Sequence, residues 1–363
     1  MDRSTPARIP ALDGVRALAV LGVISSHSSV FGLGWVGVDI FFGLSGYLIT
    51  GILLDARAAT ASPRAYFIPF YMRRALRILP LAWLVAVIMA ALRHEWSGLI
   101  WYAGYLVNWL PASPPPVDLG HYWSLAVEEQ FYLVWPAVVF FASPRWLWRL
   151  SIAILAIDVA CRFGISMWPP AFATEQFQGL ATYARADTLA VGVLLAQRQR
   201  QGGFGRARWA LPTIFLAGTA LGLIRLLEKL RVAPLLTYNL KWPVIALGVA
   251  AGLVFVLTRP PRALEWRWLV WIGQISYGIY VLHACFGGWL HDNLTSPPLI
   301  FALQLAFTIP AAAASWYFFE SPILAQKWRW PMPVRTRPGV KTGARDRAPL
   351  SSAVKPPRTD GDG

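Results

Sequence analysis

Charge and cysteine are both scarce in this sequence of 363 residues. Asp, Glu, Lys and Arg together make up 14% of it, against about 25% in a soluble globular domain, so an ordinary water-facing surface is excluded. Its 2 cysteines, Cys161 and Cys285, both lie in apolar stretches, which excludes a disulfide framework and a cysteine-based metal site. The 5 histidines show no HExxH-type spacing, and no metal is expected. No cleavable leader is expected either. The start MDRSTPARIPALDG is polar and cationic, and the apolar run after it carries Arg16 and His27 where a small-residue cleavage site would stand. The first span is therefore expected to stay. There is no convincing internal repeat, which weighs against a transporter built from two related halves.

What the sequence has in excess is apolar surface: 56% of its residues are hydrophobic. Runs such as LPLAWLVAVIMAAL (79–92), WPVIALGVAAGLVFVL (242–257) and LIFALQLAFTIPAAAASWYFF (299–319) approach or reach bilayer-spanning length. The expected fold is an all-α polytopic membrane protein. With the N-terminus cytoplasmic, spans are expected near 14–31, 36–54, 76–92, 122–142, 147–165, 183–197, 209–227, 242–258, 268–290 and 299–319, about ten transmembrane helices. The stretch 97–111, SGLIWYAGYLVNWLP, is read as one interfacial or re-entrant segment. That choice puts the Arg-rich linkers 57–77, 145–149, 198–208 and 259–267 on the cytoplasmic side, as the positive-inside rule prefers. The loop with Lys229, Arg231 and Lys241 is the exception.

The net charge of +15 thus orients the protein; with no basic helix or aromatic-basic sheet pattern apart from the spans, nucleic-acid binding is not expected. Residues 1–328 are read as the membrane domain and 329–363 as a disordered basic cytoplasmic tail, rich in Pro, Gly and Arg and lacking apolar periodicity. Both termini then lie in the cytoplasm, and lipid is the one partner composition alone implies.

A charge inside a span costs a few kcal/mol or more, so each one marks a site or needs a partner. In the first span Arg16 and His27 are eleven residues apart, on nearly the same helix face and roughly 16 Å apart along the axis. His27 reads either as a satisfied helix contact or as a catalyst. The second span carries Asp39 and Ser45, the latter in Gly-Leu-Ser-Gly. A nucleophile turn needs a sheet, so close packing of small residues is the better reading there. In FYMRRALRILP, Arg73, Arg74 and Arg77 share a face at the cytoplasmic start of the third span. They are either positive-inside anchors or a phosphate clamp. Further along are Glu128 and Glu129 in HYWSLAVEEQFYLVWP, Arg185 and Asp187 in YARADTLAVG, His283 in ISYGIYVLH, and Glu320 in FFESP. On this topology His27, Glu128, Asp187 and His283 form an outer polar layer, and Arg16, Arg74, Arg77 and Glu320 an inner one.

In this order the motifs resemble the acyltransferase-3 family of integral-membrane O-acyltransferases. IPALDGVRALAVLGVISSH resembles its first span, GVDIFFGLSGYLIT its second, and RRALRILP its RxxR block. YWSLAVEEQFYLVWP is similar to its WSLxxEEQFYxxWP signature, and ISYGIYVLH and FFESP to its last two spans. Segments 147–180 and 198–267 match nothing closely. The resemblance implies transfer of an acyl group, most often acetyl, from acyl-CoA to a hydroxyl of a sugar or other extracytoplasmic or lipid-linked acceptor, in a bacterial inner membrane. It implies His27 as catalytic histidine and Arg16, Arg74 and Arg77 as arginines needed for activity. The chemistry of the residues adds two expectations: Glu128 or Asp187 orients the imidazole and stabilises its cation, and the arginines, on the cytoplasmic side, hold the donor's phosphates. Asp39, Ser45, Trp123, Arg185, His283 and Glu320 are expected in substrate or structural support. Some family members append an esterase-like extracytoplasmic domain, expected to be absent here. Direct transfer is the expected route, with an acyl-histidine or acyl-serine relay as its alternative; a glycan or lipid-precursor transporter is the competing function.

Glu128 and Glu129 are about 100° apart on a helix. The expectation is that Glu128 turns inward toward His27, while Glu129 sits near the helix N-terminus in outer boundary water.

Overall fold

Proline opens many of the helices, its missing N–H costing nothing in a first turn whose amides have no intrahelical acceptor. A computed structural model describes residues 9–110, 119–168 and 180–333, and every regular element among them is helical. In chain order these are α1 (Pro10–His27), α2 (Val36–Ala59), α3 (Pro63–Arg93), the short α4 (Leu99–Ala103), α5 (Tyr122–Phe141), α6 (Pro144–Met167) and α7 (Ala186–Arg200). They continue with α8 (Ala210–Lys229), α9 (Pro234–Thr258), α10 (Arg267–Gln274), α11 (Ser276–Asn293) and α12 (Pro297–Ser315), which runs through a π-helical turn, Trp316–Glu320, into α13 (Ser321–Ala325). Pro opens α1, α3, α6, α9 and α12. The proline cluster at 112–118 and the tail beyond 333 lie outside the described residues.

Six helices among the described residues are long and apolar enough to cross a bilayer, or seven if α10 and α11 count as one bent span. Phe141, Phe215 and Phe318 are 76%, 74% and 85% exposed, which suits a surface facing lipid tails rather than water. The core lies among α1, α2, α3, α5 and α11, where Val20, Phe42, Tyr66, Leu125 and Ile279 are buried together.

Three expectations need correction. The third helix starts at Pro63, thirteen residues before 76, because Ser62 accepts a bond from the Ala65 amide at 3.4 Å and Pro63 begins the helix. Arg74 is therefore about 16 Å into α3, not at its start. The span expected at 268–290 is broken at Ile275, where α10 and α11 meet at 70°. Around the break, Arg77 donates to the Gln274 carbonyl (3.4 Å) and Tyr277 to the Ile78 carbonyl (2.5 Å), so α3 holds the bend. The first helix ends at His27 rather than 31. Segment 97–111 contains the five-residue α4 and a 3₁₀ turn, Val107–Trp109; a five-residue helix is about 8 Å long and cannot cross.

Contacts fix the relative directions of the helices. Asp13 and Gly14 at the start of α1 meet Gly273 and Leu264, while His27 at its end meets His283 and His291, so α1 and α11 run the same way. Ser45, Thr50 and Arg57 of α2 bond Glu128, Trp135 and the Val139 carbonyl in step, making α2 and α5 parallel. Tyr66 and Tyr71 of α3 donate to the Pro136 and Leu133 carbonyls, while Tyr122 donates to Ala82, so α3 is antiparallel to α5. Between α2 and α7 the backbones touch: a Cβ on Gly46 would run into the Leu189 carbonyl, and one on Gly192 into that of Gly43.

Candidate active site

Four of the 5 histidines gather at one end of the bundle. His27, the last residue of α1, stacks on His283 of α11 with ring centroids 5.0 Å apart, its Nδ1 3.1 Å from His283 Nε2. His283 Nδ1 lies 2.6 Å from the Tyr280 carbonyl. A carbonyl only accepts, so Nδ1 of His283 carries the hydrogen and the Nε2 of its neutral ring accepts. His27 must then donate from Nδ1, leaving its Nε2 with a bare lone pair. His27 is exposed while His283 is buried, so that lone pair belongs to the accessible ring. Hydrogen bonding at one ring nitrogen thus sets the proton at the other.

Two histidines that sequence reasoning passed over complete the cluster. His121, immediately before the WSL signature, packs edge-on to His283 at 4.7 Å and bonds the Val281 carbonyl at 3.3 Å. His291 bonds the His27 carbonyl at 2.9 Å. Their signals were present: His121 abuts the motif, and His291 falls two turns beyond His283 on the same helix. Below this cluster, the Tyr280 and Ser124 hydroxyls are 2.5 Å apart and both lie 3.1 Å from the His121 carbonyl.

Glu128 does not reach His27. Its Oε1 accepts from Ser45 at 2.6 Å, and Ser45 accepts from Tyr132 at 2.9 Å. Arg74 lies over the Tyr132 ring at 5.8 Å and acts electrostatically on both Glu128 and Glu129. Glu129 is not a boundary anchor. It is the eighth residue of α5, about 10 Å inside the helix start, with Oε1 buried and unbonded. Ser45 is therefore a ligand of Glu128, between glycines that pack α2 against its neighbours.

Asp187 does not reach His27 either. Its carboxylate pairs with Arg162 at 3.0 Å, and Arg162 pairs at the same distance with Asp158, all three buried. Next to them Asp39 and Arg185 form a second buried pair at 3.0 Å. The Arg185 guanidinium is packed over Trp242 at 4.2 Å and Trp123 at 5.0 Å. Trp123 is thus part of an arginine cage, and five charges tie α2, α6 and α7 together.

Toward the other end of α1 stand the arginines. Arg16 bonds Asp13 at 2.8 Å and is one-third exposed. Arg77 pairs with Glu320 at 3.6 Å and lies over the Tyr277 and Trp316 rings at 5.5 and 5.1 Å. Arg16 and Arg74 both lie within electrostatic range of Arg77, so three cations from α1 and α3 share one region, and of these Arg77 carries the pairing with Glu320. The expected outer layer thus divides: His27 and His283 meet, Glu128 joins Arg74 deeper in the bundle, and Asp187 belongs to a separate ion-pair network. No group of three or more metal-ligating side chains is placed to hold an ion among the described residues.

Comparison with known proteins bears on this arrangement. Residues 9–320 match the sequence model of an acyltransferase domain. The chain is 30% identical to YrhL of Bacillus subtilis (strain 168), which carries the provisional name of a peptidoglycan O-acetyltransferase; the match covers 88% of this chain and 56% of that protein. It is 29% identical to the peptidoglycan O-acetyltransferase OatA of Listeria monocytogenes, over 87% of this chain and 56% of the relative. The chain thus spans little more than half the length of these relatives. No solved structure matches it.

Proposed function

Because residues 9–320 match its model, the chain belongs to the acyltransferase-domain family of integral membrane proteins, and from that premise we propose a transmembrane O-acyltransferase using His27 as general base. The donor is an acyl-CoA, most simply acetyl-CoA, whose phosphates are held from the cytoplasmic side by Arg16, Arg74 and Arg77. The acceptor is a hydroxyl on an extracytoplasmic glycan. The relatives' names make a peptidoglycan sugar the first acceptor to test.

The observation that carries this reading is the proton arrangement of the histidine pair. His283 is locked by the Tyr280 carbonyl as an acceptor, which leaves His27 with a lone pair at Nε2. That nitrogen takes the acceptor's hydroxyl proton as the oxygen attacks the thioester carbonyl. The carbon–sulfur bond then breaks, and the departing thiolate receives the proton back from His27, releasing thiol and ester. His283 steadies the imidazolium through its Nε2, the role first expected of a carboxylate. Three guanidiniums supply charge-assisted bonds to the donor's phosphates. Along α1, Arg16 and His27 are roughly 16 Å apart, a gap for the donor's extended arm to bridge.

We infer ten crossings, with which the relative directions of the helices agree; the reading of both termini as cytoplasmic, in a bacterial inner membrane, rests on the Arg-rich linkers. α1 and α11 are parallel, as first and ninth spans must be; α2 and α5 are parallel, as second and fourth must be. The test is an acetyl-CoA-dependent transfer assay on membranes or proteoliposomes. His27→Ala is expected to be inserted, folded and inactive; full acetylation by that variant removes His27 from the mechanism. Replacing Arg74 and Arg77 together is expected to raise the donor KM with less effect on acceptor use. Mass spectrometry of surface glycans from a strain lacking the protein would reveal the acceptor as one missing acyl ester.

A further inference from the structure

Gln304 sits in the middle of α12, within the run PPLIFALQLAFTIPAAAAS, and is 1% exposed. An amide in an apolar span requires partners for its donors and acceptor. Its Nε2 donates to the His283 carbonyl at 3.0 Å. That fixes the orientation of the amide, because a carbonyl cannot donate, and turns Oε1 toward the Ser28 hydroxyl at 2.6 Å. Ser28 follows His27 directly and caps α1. One side chain therefore grips the backbone of one histidine and the residue next to the other.

The surroundings leave room for this grip. Gly287 lies one turn beyond His283 on α11, and a Cβ there would stand 3.0 Å from Gln304 Nε2. Ser28 is itself wholly buried, although His27 beside it is exposed. Its hydroxyl also lies 2.9 Å from the Ile24 carbonyl, so without Gln304 it would turn back onto its own helix. From the other side, His291 holds the His27 carbonyl. The end of α1 is thus clamped by α11 and α12 together.

We propose that Gln304 is a positioning residue that sets the register of the His27–His283 pair by bonding Ser28 and the His283 carbonyl at once. This rests on the reading of His27 as general base. The competing account is a simple interhelical tie that holds α12 in the bundle and does nothing to the reaction. The two differ in which kinetic constant moves. Misplacing a base by a fraction of an ångström lowers kcat while leaving donor binding at the distant arginines unchanged.

The test compares Gln304→Leu, Gln304→Glu, Ser28→Ala and His27→Gln in full-length protein in proteoliposomes, with acetyl-CoA and a soluble peptidoglycan-sugar acceptor. Gln304→Leu is expected to lower kcat about tenfold or more, with the donor KM within about twofold of wild type. Gln304→Glu, whose buried acid keeps a donor and an acceptor at the same positions, is expected to recover most of that loss. Ser28→Ala removes one arm and is expected to lower kcat less than Gln304→Leu, and the double variant to be no worse than Gln304→Leu alone. Wild-type kcat in Gln304→Leu beside an inactive His27→Gln overturns the positioning role and leaves the base standing. An active His27→Gln overturns the base and the positioning role with it. If Gln304→Leu does not insert, Ser28→Ala decides: a wild-type kcat there overturns the proposal.

Discussion

Asp39 and Arg185 are each buried almost completely and meet at 3.0 Å. Removing one of them leaves the other uncompensated, so Asp39→Asn or Arg185→Met is expected to cost about 3–5 kcal/mol, and the double replacement clearly less than the sum. Thermal unfolding in detergent checks this; equal, additive losses would mean the two charges do not act as a pair. Glu128 invites a gentler comparison. Gln at 128 still offers Ser45 an acceptor, whereas Ala leaves the hydroxyl without one, so Glu128→Ala is expected to be less stable than Glu128→Gln by about 1–3 kcal/mol. At this scale the sequence was legible in kind but not in pairing. His27, the arginines and Glu128 stand out as costly polar groups in apolar runs. Which of them touch depends on the register between helices, and no spacing along one helix records that. Glu128 meets Ser45 because Trp135 and Thr50, seven residues further along α5 and five further along α2, bond at 2.8 Å and fix how α5 slides on α2. Gln304 was hidden for the same reason: its partners are 276 and 21 residues away in sequence.

The positions of helices were legible from apolar runs, and their ends less so. α3 gains its additional turns from a Ser-Pro start that lies outside any apolar run, and the bend at Ile275 is imposed by bonds from α3. Contact between α2 and α7 is backbone on backbone, so Gly46→Leu must force the helices apart. It is expected to destabilise by about 1–3 kcal/mol or more. Gly218→Leu serves as the control, since nothing lies within 4 Å of a Cβ there. Comparable losses in the two variants, measured by thermal unfolding, would mean that the α2–α7 contact has no special tightness.

Across the whole molecule, the proposed crossings can be mapped by single cysteines once Cys161 and Cys285 are replaced. A cysteine at Gly202, in the Arg-rich loop between α7 and α8, is expected to be shielded from a membrane-impermeant maleimide in intact cells. One at Asn293, at the end of α11, is expected to react. The opposite pattern would invert the orientation. The route of α1 through the bundle has a consequence for how the two substrates sense each other. Its start lies backbone-to-backbone against Gly273 and Leu264, its end is gripped by His283, His291 and Gln304, and Arg16 and His27 ride on the same rod. A rod pinned at both ends resists displacement. Donor held at Arg16 then leaves the setting of His27 as it was, and reciprocity requires the acceptor to leave donor affinity unchanged in turn. Donor dissociation constants measured with and without a non-reactive acceptor analogue are expected to agree within about twofold, and a larger ratio would show that the two ends of α1 are coupled.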